Sequence, residues 1–156
     1  MRFSEDELRD HLDARLPYEG SHFYVFDVTL DNPRIDLVEG ADRIAGGVDV
    51  AVRMKLGSRE LFVSGAADVS GVVHHDADQR AFFLEDPVVE ELHIPGVLER
   101  HANRANSAIS AALGEFYRTR PIYVLEADTA AKSAARMLLK HVEVKDEHLV
   151  VTLRLG

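Results

Sequence analysis

The chain has 156 residues, 46% hydrophobic and 29% charged, with a formal net charge of −9 and no cysteine. A domain of this length buries about 70% of the surface its unfolded chain exposes, so one core suffices and neither disorder nor a second domain is needed. The acidic balance disfavours nucleic acid and anionic membranes, no apolar run approaches the roughly 18 residues of a transmembrane helix, and the missing thiol removes disulfides and cysteine nucleophiles.

Ser4-Glu5-Asp6-Glu7 has the capping-box form, a hydroxyl followed three residues later by a carboxylate. It predicts a helix with Leu8, Leu12 and Leu16 on its apolar face and Pro17 as its stop. From His22 to Leu30 the pattern alternates, with Tyr24, Phe26, Val28 and Leu30 on one side. Asp31-Asn32-Pro33 interrupts it and Arg34 to Val38 resumes, which reads as a strand with a bend. Asp42 to Leu56 carries the strongest period-two signal, with Ile44, Gly46, Val48, Val50, Val52 and Met54 on one face. Gly57-Ser58 turns the chain, and Glu60 to Val73 alternates back through Leu61, Val63, Gly65, Ala67 and Val69, so a long hairpin is expected. Gly46-Gly47 and Gly65 mark bulges or strong curvature.

His74 to Gln79 reads as a polar turn, followed by strand residues Ala81 to Glu85 and Val88 to Ile94 with Asp86-Pro87 between them. From Val97 to about Arg118 the period becomes helical, through Leu98, Ala102, Ala105, Ile109, Ala112, Leu113 and Phe116. That face is rich in alanine, which lets a helix axis approach a sheet closely, and Arg118 and Arg120 sit where cations complement the helix dipole. Pro121 to Leu125 is extended, Asp128 caps a further helix through Ala131, Ala134, Ala135 and Leu138, and a hairpin from Val142 to Leu155 turns at Asp146-Glu147. Runs of neighbouring strands rather than strict alternation with helices predict the α+β class: a long curved antiparallel sheet wrapped around a long α-helix.

Several stretches carry a resemblance: Phe3-Ser4 through Arg15-Leu16-Pro17-Tyr18, Leu30-Asp31-Asn32-Pro33-Arg34-Ile35-Asp36-Leu37 with Arg43-Ile44, Phe83-Leu84-Glu85-Asp86-Pro87-Val88-Val89, and Arg120-Pro121-Ile122-Tyr123-Val124-Leu125. In order and spacing they resemble the DUF1439 family of bacterial envelope proteins, over nearly the whole chain. The resemblance implies kinship with tubular lipid-binding half-barrels. It also implies a lipid or other hydrophobic ligand, and a periplasmic or envelope location with the cytoplasm as the alternative. Members often carry a leader and an acylated cysteine, neither of which is found in this sequence. The family supplies no catalytic residues.

Among residues suited to chemistry, His74-His75-Asp76-Ala77-Asp78 gathers nitrogen and oxygen donors. Adjacent strand residues point to opposite faces, so a shared ion is disfavoured there, and Glu90-Glu91 fails as an acid/base pair for the same reason. No HExxH, GxSxG, Walker, GxGxxG or EF-hand string occurs, and neither an enzyme, a cofactor nor a resident metal is expected. The remaining candidates are apolar: Tyr24, Phe26, Val50, Val52, Phe82, Leu92, Ile109, Leu113, Phe116 and Tyr117. They form either the core or, if sheet and helix close incompletely, a groove for a hydrophobic ligand. A protein-interaction module with a packed core is the competing reading.

Overall fold

In a computed structural model, which describes residues 1–22, 25–95, 99–125 and 137–155, the first local structure is set by Ser4. Its hydroxyl accepts from the Glu7 amide at 3.1 Å while the Glu7 carboxylate reaches back to the Ser4 amide. This capping box ends β1 (Arg2–Ser4) and starts α1 (Glu5–Asp13), which buries Leu8 and Leu12. The helix closes at Ala14, three residues before Pro17.

Among the described residues, eight more strands and one more helix follow: β2 (Tyr18–His22), β3 (Phe26–Asp36), β4 (Arg43–Leu56), β5 (Arg59–Asp76), β6 (Ala81–His93), α2 (Glu99–Thr119), β7 (Tyr123–Val124), β8 (Met137–Lys145) and β9 (His148–Leu155). Strands β2 to β7 form a six-stranded antiparallel sheet in chain order, and β1, β9 and β8 form a second sheet with β9 in the middle. The β4–β5 hairpin turns at Gly57, whose φ of 65° needs no Cβ penalty. Its register sets Val52 opposite Val63, Val50 opposite Gly65 and Val48 opposite Ala67, the buried row read from the alternation.

The inner face of the large sheet contributes Phe26, Val28, Leu30, Ile44, Val48, Val50, Val52, Met54, Ala67, Val69, Phe82 and Leu84 to one core. Helix α2 covers it with Ala105, Ala108, Ile109, Ala112, Leu113, Phe116 and Tyr117, and each fully buried Leu, Ile or Phe contributes about 1.5–3 kcal/mol. Phe3 joins the two sheets, its ring 5.7 Å from Phe82 and 4.4 Å from Tyr123. Backbone hydrogen bonds from Gly40 to Val144 and from Val144 to Ala41 make a second link.

The expected α+β half-barrel, a long sheet wrapped around a long helix, does not form. The protein is mostly β, with antiparallel sheets, and among the described residues neither sheet encloses a helix. The apolar face is shared between α1 and α2, the end strands β2 and β7 do not pair with each other, and the last two strands leave to build the smaller sheet. Four local expectations also shift. The expected strand from His22 to Leu30 divides in two: His22 ends β2, whose residues Tyr18 to His22 pair with Leu30 to Phe26 of β3. Asp86-Pro87 lies within a single strand β6, Asp86 taking a φ of 48°. His74, His75 and Asp76 belong to β5, and the turn begins after them. Leu138 is in β8 instead of a helix; the rest of that expected helix, Asp128 to Ala135, and the Val97 start of α2 lie outside the described residues.

Candidate functional site

The ten apolar candidates come largely to one place. Phe26, Val50, Val52, Phe82, Ile109, Leu113, Phe116 and Tyr117 are all buried in the core; Leu92 is half-buried against it, and Tyr24 lies outside the described residues. Tyr18 and Tyr117 pack their rings on Phe116, at centroid separations of 5.7 and 5.1 Å. Burial pushes the Tyr117 phenol up to about 12. A gap between α2 and the sheet, bordered by Leu12, Ile44, Leu84, Tyr117 and Ile122, measures about 10 Å³. Ligand sites usually measure about 300–1,000 Å³. Where these residues are described, helix and sheet are packed together.

A larger opening lies where the ends of β5 and β6 meet the C-terminal half of α2. It measures about 350 Å³ and is lined by His74, Asp76, Phe83, Leu84, Pro87, Gly114 and Arg118, among others. Phe83 and Leu84 form an apolar floor, both of them nearly buried. The antiparallel register puts His74 opposite Phe83, and His74 Nδ1 stands 4.0 Å from Glu85 Oε2. Asp76 accepts from the Gln79 amide at 3.0 Å and from Gln79 Nε2 at 3.2 Å; the backbone hydrogen bond, partly offset by desolvation, lowers its pKa. Arg118 forms no ion pair with the described residues. Gly114, one helical turn before it, is the wall that keeps the space open: a Cβ built there meets no atom within 4 Å. A mid-helix glycine destabilises by about 0.5–1 kcal/mol relative to alanine, and here no close packing requires it.

None of the ten candidates lines this pocket. Its residues come from two strands and a helix far apart in the chain. The one local signal was Gly114, a glycine inside an otherwise strong helical pattern.

The opposite, outward face of the large sheet holds a shallow polar depression of about 620 Å³, bounded by Glu19, Ser21, Asp27, Thr29, Arg53, Lys55 and Phe62, among others. Asp27 is its hub. It accepts from Ser21 Oγ at 2.6 Å and from Arg53 Nε at 2.9 Å, and Lys55 Nζ stands 3.7 Å away. These hydrogen bonds, Ser21 first and Arg53 next, hold its carboxyl at about 2. Phe62 flanks the charges and is 73% exposed.

Among the described residues, two antiparallel sheets with two helices on a shared core, an apolar-floored pocket beside α2 and a charged outer face define a mostly β fold. The chain belongs to the DUF1439 family: the family model described as "Protein of unknown function (DUF1439)" matches residues 3–148. No curated protein matches the chain. None of the helices described is long and apolar enough to cross a membrane.

Proposed function

We propose that this protein binds, without catalysis, a lipid or other compact hydrophobic molecule in the bacterial envelope, and that it does so at the pocket between Phe83 and Gly114. The observation that carries the reading is Gly114: a helix position with open space before it, where a side chain would be tolerated, faces an apolar floor in a cavity of about 350 Å³. That volume falls within the usual ligand range. Phe83, Leu84 and Pro87 would hold the apolar body, while Arg118 and His74 at the rim suit a polar head. The envelope location rests on the family. Native mass spectrometry after mild extraction, with melting curves in a medium-chain fatty acid or phospholipid, tests the proposal. The wild type is expected to retain or take up ligand and melt higher, and Gly114→Leu to lose that response while remaining folded. Bare protein throughout, with no stabilisation by either lipid, overturns it.

The depression around Asp27 favours a second reading, a protein-interaction surface. Exposed Phe62 beside a ring of charges has the make-up of an interface anchor with a polar rim. A stable partner lost on Phe62→Glu, in a protein that takes up no lipid, would favour it over the first.

A further inference from the structure

We infer that Asp68, Glu91 and His93 form a surface site for a divalent transition-metal ion of the zinc class. Strands β5 and β6 pair with Asp68 opposite Glu91 and Ala66 opposite His93. Side chains alternate between sheet faces, so Glu91 and His93, two residues apart, share a face, and Asp68 reaches it from the neighbouring strand. One donor atom from each lies within 4.8 Å of the others, and His93 Nε2 is already 2.9 Å from Glu91 Oε1. All three side chains are exposed, free to close by small rotations around an ion that keeps water in its remaining positions.

The strand geometry serves this arrangement. Past Asp68 and Glu91 the register slips to Val69 opposite Val89, so Glu90 is an extra residue in β6. Glu90 is taken up by Ser70, whose hydroxyl donates to it at 2.6 Å, and Glu91 is left to face Asp68 and His93. Gly65 holds the histidine's backbone: a Cβ there would collide with the His93 carbonyl. On the next strand, Arg34 places its guanidinium beside Gly47, opposite Asp68 in the register. It is engaged by Asp49 at 2.8 Å.

Donor chemistry selects the ion class. Two carboxylates alone would suit magnesium or calcium, but the imidazole moves the preference to zinc and its first-row neighbours. The net charge of −9 draws cations to the surface.

Titration calorimetry of the chelator-treated full chain with Zn²⁺ alone tests the site, with circular dichroism verifying the fold of each variant. One ion per chain is expected, bound at least about tenfold more weakly by His93→Gln and by Asp68→Asn. His148→Gln, a histidine hydrogen-bonded to its own turn, should bind as the wild type does. Absence of saturable uptake overturns the inference, and so does uptake that both site variants leave unchanged.

Discussion

The Arg53 guanidinium grips one carboxylate oxygen of Asp27 from two of its nitrogens, Nε at 2.9 Å and Nη2. With Ser21 on the other oxygen, the folded protein holds this carboxyl at about 2, against an ordinary 3.8. A carboxyl depressed on folding stabilises above its unfolded pKa, and that contribution is lost as pH falls through the folded one. Urea unfolding across a pH series should therefore show stability declining from about 3.8 towards 2. Asp27→Asn should be less stable at neutral pH and decline less steeply on the acid side. Asp49 and Asp76, whose carboxyls are also lowered, keep the remaining slope.

Tyr117 acts on the alkaline side, together with Tyr18, whose phenol burial also raises. The buried Tyr117 phenol is raised to about 12 from 10.0, so above pH 10 the unfolded chain ionises first and stability falls as pH rises towards 12. Tyr117→Phe should remove this tyrosine's share of the loss. Absorbance near the phenolate band should show Tyr117→Phe losing a tyrosine that in the wild type ionises only as the protein unfolds.

Phe116 is a core residue by packing, between the rings of Tyr18 and Tyr117. Phe116→Ala should destabilise by about 3–5 kcal/mol in urea or guanidinium unfolding. A loss under 1 kcal/mol would mean that Phe116 lines open space instead.

Two glycines should respond with opposite signs. Gly114→Ala should stabilise by about 0.5–1 kcal/mol, since the helix gains propensity and meets no obstacle. Gly65→Ala should destabilise, because the new methyl is driven into the His93 backbone. Paired melting curves of the two variants read both signs.

Such glycines mark the boundary of what the sequence could reveal. Alternation in Ile44 to Met54 reports which face is buried, and the structure agrees at Ile44, Val48, Val50, Val52 and Met54, though Gly47 is buried and Gly46 only half-buried. The capping box at Ser4 and the hairpin turns at Gly57 and Asp146-Glu147 were legible for the same reason: each is decided by residues within a few positions. What covers the buried face is not local. Alanines on α2 favour close approach to a sheet equally whether the sheet lies flat against the helix or surrounds it, and the surrounding form proved wrong. Strand β2 was obscured by Gly20 and its polar neighbours, which form a strand because β3 offers a partner. The pocket and the Asp68–Glu91–His93 cluster depend on strand register, including the slip at Glu90, which no local pattern announces.

The smaller sheet has a kinetic consequence. Strand β1 pairs with β9, Phe3 opposite Leu149, and the amino terminus donates to the Val151 carbonyl at 2.9 Å. That contact spans 150 positions of chain, whereas the β4–β5 hairpin closes over two. Loop-closure entropy orders such events, so the hairpin should nucleate and the β1–β9 seam should zip last. Substitutions in β1 are then expected to accelerate unfolding and leave the refolding rate nearly unchanged.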